Sequence, residues 1–191
     1  MASEVYAIVL AAGSASRFGR TKQLVELDGV ALVSLAVNAA TEILGDRTVT
    51  VVGHDAINVA TQLRHAQGFV VVNDDHAQGL GTSLARAVTA IRHVARAVVV
   101  ILADQPGVTA AHIEELIRTW SGDDNEIVAT SFSGTQGPPV LFPAGCFDDL
   151  TDLRGDAGGK HLFRDSRFRL TTVDFAPAAL DIDTPDDLRR I

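Results

Sequence analysis

Short hydrophobic runs alternate along the chain with longer segments of helical spacing. The runs are rich in Val and Ile, are bounded by Gly, Asp or Asn, and cover residues 5–10, 48–52, 69–72, 97–102 and 126–130. Continuous apolar runs of this length are typical of strands buried on both faces, and such strands belong mostly to parallel sheets. The pattern therefore predicts a mostly parallel sheet.

The segments between the runs place apolar residues three and four positions apart, which predicts helices with one buried face. These positions are Leu32, Leu35, Ala36, Ala39 and Ile43 in the first helix, Leu84, Val88 and Ile91 in the second, and Ile113, Leu116, Ile117 and Trp120 in the third. Thr109 is the expected N-cap of the third helix. The alternation of strands and helices predicts an α/β fold, a three-layer αβα sandwich around a Rossmann-like, mostly parallel sheet.

Beyond residue 131 the segments become shorter and less regular. A Gly/Pro-rich turn, an edge or antiparallel strand, two short helical stretches and a last strand are expected at residues 134–140, 140–142, 145–153, 158–164 and 169–175, respectively. No linker, internal repeat or low-complexity tract interrupts the sequence. Residues 1–191 are therefore predicted to form a single domain.

Composition narrows the classes of protein. The chain has 16 Lys and Arg against 24 Asp and Glu, a formal net charge of −8, which argues against a nonspecific nucleic-acid binder. Its longest apolar stretches, residues 5–12 and 97–103, are much shorter than the ~20 residues of a membrane-spanning helix. The N-terminus lacks the basic region of a signal peptide, and the single Cys146 cannot form an internal disulfide. A cytoplasmic protein without nucleic-acid or membrane partners is expected.

The loop after the first strand, residues 10–22, has the composition of an anion-binding loop. Small residues let backbone N–H groups approach an anion, and Arg17 and Lys22 supply cations suited to phosphate oxygens. The spacing matches neither the P-loop nor the dinucleotide-binding fingerprint. An ordinary strand–helix turn with solvated basic residues is the alternative.

Three acidic residues are candidates for holding a cation. Asp104 directly follows the strand at 97–102, and Asp181 and Asp183 alternate in an extended C-terminal segment. Mg²⁺ is usually held by one or two carboxylates together with substrate phosphates and water. The alternatives are that Asp104 caps the turn before Pro106 and that the other pair is solvated.

Residues 79–83 form a further glycine-rich element, which could cradle a base or a ribose or form a flexible turn. The six histidines have no metal-ligand spacing and are expected at the surface or behind the site, with His54 the one expected near the cleft. Cys146, Trp120 and the Phe residues are expected in the core.

Six motifs in order carry a resemblance that covers essentially the whole chain. They are Leu-Ala-Ala-Gly-Ser-x-Ser-Arg-Phe-Gly-x-x-Lys at 10–22, Gly-Leu-Gly-Thr-Ser-Leu at 79–84, Leu-Ala-Asp-Gln-Pro at 102–106, Gly-x-Pro-Val-Leu-Phe at 137–142, Gly-Asp-x-Gly-x-Lys at 155–160 and Asp-Ile-Asp-Thr-Pro-Asp-Asp-Leu at 181–188. Together they resemble the molybdenum cofactor cytidylyltransferase branch of the nucleotide-diphospho-sugar-transferase-like superfamily.

The resemblance implies a nucleotidyltransferase that uses a nucleoside triphosphate and Mg²⁺. An acceptor phosphate attacks the α-phosphorus and expels pyrophosphate, while Arg17 and Lys22 stabilise the developing charge. Asp104, also counted as catalytic, and Asp183 are expected to hold the metal, with Asp181 as a helper. The net charge of −8 further predicts that the cations gather at the cleft, close to Asp104.

The resemblance also assigns the substrate contacts. The expected nucleotide-binding residues are Leu10, Ala11, Ala12, Gly13, Lys22, Gly79, Gly81 and Ser83, and the expected acceptor-binding residues are Gly137, Pro139 and Asp156. Ala12 favours CTP, because guanylyl-transferring relatives carry Gly there. Pro138, Ala157 and Lys160 depart from the family pattern beside the acceptor.

The predicted function is transfer of CMP from CTP to the phosphate of molybdopterin. A molybdoenzyme or its chaperone is the possible transient protein partner. Three alternatives stay open: guanylyl transfer from GTP, a nicotine-blue-type oxidoreductase that uses a nicotinamide cofactor, and a noncatalytic module for cofactor maturation.

Overall fold

The strands and helices of the chain follow the predicted alternation. The computed structural model describes residues 4–14, 18–19 and 21–189. The strands are β1 (Val5–Ala11), β2 (Glu26–Leu27), β3 (Val30–Ala31), β4 (Thr48–Val52), β5 (Phe69–Val72), β6 (Ala97–Leu102), β7 (Glu126–Phe132), β8 (Thr135–Pro143) and β9 (Arg169–Asp174). The α-helices are α1 (Leu32–Leu44), α2 (Ala56–Gln62), α3 (Leu80–Ile91), α4 (Ala110–Thr119) and α5 (Phe147–Thr151). The short 3₁₀ helices include Lys22–Leu24, His76–Gln78 and Gly159–Arg164.

Seven strands form one mostly parallel sheet in the order β5-β4-β1-β6-β8-β7-β9, and β2 and β3 form a separate small ribbon. Within the large sheet β8 is antiparallel to both of its neighbours, and the other paired strands are parallel. Helices cover both faces, so the predicted αβα fold class is confirmed. Among the described residues, none of the helices combines the length and hydrophobicity needed to cross a membrane.

The alternation of side chains along β1 divides the core into two layers. Val9 packs with α1 and α4 on one face, whereas Leu10 packs with α3 and α5 on the other. Thr109 is the N-cap of α4 as expected, because its hydroxyl accepts a hydrogen bond from the backbone N–H of His112 at 3.3 Å. Cys146 lies in the core and is fully buried, as expected, and burial raises the pKa of its thiol to about 12.

Two predictions about strands are wrong. The turn expected at 134–140 is confined to Ser133 and Gly134, and residues 135–143 form β8. The strand expected at 140–142 belongs to β8 and is antiparallel, one of the two arrangements expected, but β8 lies between β6 and β7 rather than at an edge. Pro138 and Pro139 of β8 fall where the register of its pairing with β7 shifts, so neither has to pair regularly with β7. The run at 69–72 is a strand, but it lies at an edge of the sheet, so most of its side chains are exposed rather than buried on both faces.

The topology places a crevice at the carboxyl ends of β1 and β6. From β1 the chain adds β4 and then β5 on one side, and it then returns to add β6 on the other side of β1. Loops that leave two adjacent strands in opposite directions separate and leave a crevice, which is where open α/β sheets bind ligands.

Candidate active site

A cavity of about 370 Å³ lies at this crevice. It is lined by the two strand ends, the first loop, the 3₁₀ helix after β5, the start of α3 and the loop that carries Asp156: Leu10, Ala12, Gly13, Ser14, Lys22, Gln23, His76, Ala77, Gly79, Leu80, Ser83, Leu102, Ala103, Asp104 and Asp156. Most of the residues predicted to bind nucleotide are therefore in one place.

Lys22 joins two of the three acidic candidates. Its Nζ donates to Asp104 Oδ2 at 2.8 Å and to Asp183 Oδ1 at 2.9 Å, and its side chain is only 13% exposed. Burial lowers the pKa of Lys22, but the charge of Asp104 and the hydrogen bonds to both carboxylates outweigh it, so the pKa is raised. The predicted proximity of Lys22 to Asp104 is confirmed.

A small apolar cluster brings the C-terminal acids to the end of β6. Ile182 is fully buried against Phe18, Val25 and Leu32. The backbone N–H of Ile182 also donates to the carbonyl of Asp104 at 3.0 Å. Residues 181–183 belong to no helix or strand, and the buried Ile182 with its backbone hydrogen bond holds them beside Asp104.

The acidic residues gathered at the end of β6 favour the binding of a cation. Partial burial, followed by the charge of Asp104, raises the pKa of Asp181. Asp104 Oδ1 is buried and has no hydrogen-bond partner within the described residues. Carboxylate oxygens are hard donors of the kind that Mg²⁺ or Mn²⁺ takes, so Asp104 and Asp183 fit a divalent ion. Within the described ranges no group of three His, Cys, Asp or Glu residues is placed to hold a metal by itself, so substrate phosphates would have to complete the coordination.

The first loop is held in place by a residue that the sequence did not single out. Gln23 is buried, and its Nε2 donates to the carbonyl of Gly13 at 2.8 Å. Ala12 and Gly13 line the cavity, whereas Ala11 packs into the core on the α1 face. Ala11 is 1% exposed and is not among the described residues that line the cavity. Arg17 lies outside the described residues.

The glycines at the start of α3 allow a second loop to approach. A Cβ on Gly79 would lie 2.3 Å from the carbonyl carbon of Gly155, and one on Gly81 would lie 2.7 Å from the carbonyl oxygen of Ala157. The N–H of Gly81 donates to the carbonyl of Gly155 at 2.8 Å. Gly79 lines the cavity but Gly81 does not, and the close contact of both with the loop places Asp156 on the cavity wall.

Buried hydrogen bonds orient the hydroxyl that α3 contributes. Ser83 lines the cavity, and its Oγ accepts a hydrogen bond from Asn73 Nδ2 at 2.9 Å. Asn73 follows β5 directly and is itself buried. An amide that spans the end of β5 and the start of α3 thus fixes Ser83 against the cavity.

His76, rather than His54, lies on the cavity wall. A Cβ on Gly53 would lie 2.4 Å from the Cβ of His76, so glycine at 53 is what lets this imidazole approach the end of β1. Nδ1 of His76 is buried and has no hydrogen-bond partner in the described part of the chain. A glycine that follows a strand directly, as Gly53 follows β4, is a weak sequence signal for such a close approach.

Two residues predicted to contact the acceptor lie inside the sheet. Gly137 and Pro139 are buried in β8, and neither is among the described residues that line the cavity. The carbonyl of Pro139 accepts a hydrogen bond from Thr130 Oγ1 at 2.6 Å. Their assignment as substrate contacts stays a prediction.

Relatives of known name match almost the whole chain. The purine catabolism protein PucB of Bacillus subtilis is 28% identical, over 94% of this chain and 92% of its own. The nicotine blue oxidoreductase of Paenarthrobacter nicotinovorans is 28% identical, over 98% of this chain and 96% of its own. The molybdenum cofactor cytidylyltransferase of Escherichia coli is 24% identical, over 97% of this chain and 94% of its own.

A solved structure shares the fold at higher identity. The homologue of Mycobacterium tuberculosis Rv0371c from Mycobacterium sp. strain JC1 is 31% identical, with a TM-score of 0.82 over 98% of this chain and 94% of that one. Rv0371c of M. tuberculosis itself, solved as a manganese complex, is 28% identical, with a TM-score of 0.81 over 98% and 97%.

The family profile covers most of the chain. The MobA-like NTP transferase domain matches residues 7–172, which include most of β1, the start of α3 and Asp104. Molybdenum cofactor guanylyltransferases of Shewanella baltica match as well as the cytidylyltransferase does, so the comparisons support the reaction type without separating CTP from GTP. This chain is a nucleotidyltransferase of the MobA-like NTP transferase family.

Proposed function

We propose that this nucleotidyltransferase transfers CMP from CTP to the phosphate of molybdopterin and releases pyrophosphate, with Mg²⁺ as its cofactor. The contact of Lys22 with Asp104 and Asp183 is the observation that supports the proposal most strongly. It joins one ammonium and two carboxylates at the crevice where the topology predicts a ligand.

The residues present suit phosphoryl chemistry. The attacking phosphate oxygen is already anionic, so the protein needs no nucleophilic side chain and must mainly align two polyanions and offset their repulsion. Lys22 would provide positive charge at the transferring phosphate, and Arg17 is proposed to act with it. Asp104 and Asp183 would hold the divalent ion, which when bound neutralises phosphate charge and orients the triphosphate. Asp181 lies beside them and adds negative charge.

The preference for CTP is proposed from the cavity wall at the end of β1. Ala12 lies there, close to Gly53 and His76. A methyl group at this position would narrow the cavity relative to a glycine, which would favour a pyrimidine over the larger guanine. The cavity also presents Ser83 Oγ and backbone groups around Gly79, which are proposed to hydrogen-bond the nucleoside.

Pyrophosphate release tests the reaction. The pure protein is incubated with Mg²⁺, molybdenum-loaded molybdopterin and either CTP or GTP, and pyrophosphate is followed with a coupled assay. We expect release that requires the acceptor and is faster with CTP. Faster release with GTP would replace cytidylyl by guanylyl transfer, and no release with either nucleotide would refute the proposed reaction.

Because the chain is similar to nicotine blue oxidoreductase, a second assay tests for oxidoreductase activity. The same preparation is incubated with NADH or NADPH and an aromatic dye acceptor, and absorbance of the coenzyme is recorded. We expect no oxidation above the rate without protein. Coenzyme oxidation without pyrophosphate release would assign the oxidoreductase activity instead.

A further inference from the structure

The two edges of the large sheet differ in character. The β9 edge exposes polar and charged positions, among them Arg169, Thr172 and Asp174. The β5 edge has the sequence Phe-Val-Val-Val, with Phe69, Val70 and Val72 exposed by 42%, 38% and 45%. Natural sheets usually protect an edge strand with charge, proline or a bulge, because an apolar edge is a template for another strand. β5 has none of these.

The backbone of β5 leaves hydrogen-bonding groups free at this edge. The N–H of Asn73 donates to the carbonyl of Val52 in β4 at 2.8 Å. Successive residues of a strand direct their N–H and C=O groups to opposite edges. Val71 therefore directs its groups to β4, whereas Val70 and Val72 direct theirs outward, where no described strand pairs with them.

Charges at the two ends of β5 select the direction of a pairing strand. The exposed Arg64 precedes the strand, and the exposed Asp74 and Asp75 follow it. A parallel copy would place like charges together. An antiparallel copy would bring the basic end of each strand to the acidic end of the other, and the edge is therefore complementary to itself.

We propose that β5 is a dimerisation edge, on which a second copy of this chain adds its own β5 in antiparallel orientation about a two-fold axis. In the register in which both copies use their outward N–H and C=O groups, Val70 of each copy pairs with Val72 of the other. Val71 then lies on the axis, opposite itself. Such an isologous contact closes after two subunits, so the edge makes a dimer rather than a fibre.

Sedimentation velocity over a wide range of protein concentration tests the dimer. We expect wild type to move from the 20.2 kDa monomer towards twice that mass as concentration rises. β5 is only four residues long, so we expect the dimer to dissociate on dilution. The double variant Val70→Lys, Val72→Lys should remain monomeric because it places lysines opposite lysines. The matched control Ile57→Lys, Val94→Lys changes two other exposed apolar residues and should dimerise like wild type.

A cysteine at the axis tests the register. In an antiparallel pair without mutual hydrogen bonds, opposing Cα atoms lie about 4.5 Å apart, within the range that a disulfide can bridge. Val71→Cys should form a disulfide-linked dimer on mild oxidation, and Val94→Cys should not; native Cys146 is fully buried. The proposal is overturned if wild type stays monomeric at every concentration, if the lysine pair leaves a dimer intact, or if Val71→Cys fails to cross-link. None of these outcomes depends on the transferase activity.

Discussion

At the scale of single residues, the site depends on a charge cluster whose members are far apart in sequence. Lys22, Asp104 and Asp183 come from the first loop, the end of β6 and the C-terminal segment. Their meeting was predictable, since strand ends of a parallel sheet share one edge and the family motifs supplied the segment around Asp183. Gln23 and His76 were not predictable, because their roles follow from packing against Gly13 and Gly53.

Replacing Asp104, the acid at the end of β6, should lower activity while leaving stability almost unchanged. We expect Asp104→Asn to lower kcat for pyrophosphate release by well over tenfold, because it removes a charged metal ligand and weakens the contact with Lys22. Circular dichroism and the melting temperature should change little, since the side chain is partly exposed. Asp46→Asn, at an exposed acid before β4, is the matched control and should retain full activity. An unchanged kcat in Asp104→Asn would show that the metal lies elsewhere.

At the scale of elements, β1, β4, β5, β6, β7 and the helices α1, α3 and α4 were readable because apolar runs and helical spacing are local signals. The short helix α2 and the two-residue strands β2 and β3 were not predicted. β8 was misread because Gly and Pro residues usually mark turns, and its place between two strands is a property of the whole sheet. The exposure of the β5 side chains was missed for the same reason, because it follows from the position of β5 at an edge of the sheet. A run of Val and Phe indicates a strand, but only the strand order tells whether that strand lies at the centre or at an edge.

The contact between α3 and the loop at residues 155–157 predicts a loss of function without a change in any polar side chain. In Gly81→Ala the new methyl group would meet the carbonyl oxygen of Ala157 at 2.7 Å, so the loop must move and carry Asp156 with it. We expect an increased KM for the nucleotide or for the acceptor, together with little loss of helix content. Gly158→Ala is the control, since its methyl group would meet only Leu80 Cδ2, at 4.0 Å. Identical kinetics in both variants would contradict a role for this contact.

A buried histidine between α4 and β7 predicts how stability depends on pH. Thr130 Oγ1 donates to Pro139, so it accepts from Nε2 of His112 at 2.8 Å, and the ring stacks on Phe175. The histidines were expected at the surface or behind the site, but His112 is 2% exposed and packs away from the cavity, against β7 and Phe175. Burial lowers its pKa below the ordinary 6.5, against a smaller opposing effect of the Glu115 charge.

The sign of the effect follows from proton binding. Below pH 6.5 the unfolded chain protonates this histidine while the folded chain does not, so stability falls as pH falls through 6.5 towards the lowered pKa. Urea unfolding at a series of pH values should show this decrease. His112→Gln, which keeps an N–H donor, should reduce the slope, and His93→Gln, at an exposed site, should leave it unchanged. Equal slopes in wild type and His112→Gln would refute the assignment.

At the scale of the whole molecule, the net charge of −8 requires local compensation at a site for polyanions. The described cation at the crevice is Lys22, and its charge is more than balanced by Asp104, Asp181 and Asp183. Nucleotide binding should therefore depend strongly on a divalent ion. In calorimetry with CTP, we expect that EDTA weakens binding by at least tenfold and that Mg²⁺ or Mn²⁺ restores it; affinity that is unchanged by EDTA would contradict the role given to the acids.

The most direct measurement is a crystal structure of the protein with Mg²⁺ and a nonhydrolysable CTP analogue. We expect the triphosphate beside Gly13 and Lys22, the metal ion on Asp104 and Asp183, and the nucleoside against Gly79 and Ser83. A nucleotide bound at any other surface, or a metal ion that contacts neither acid, would contradict this expectation.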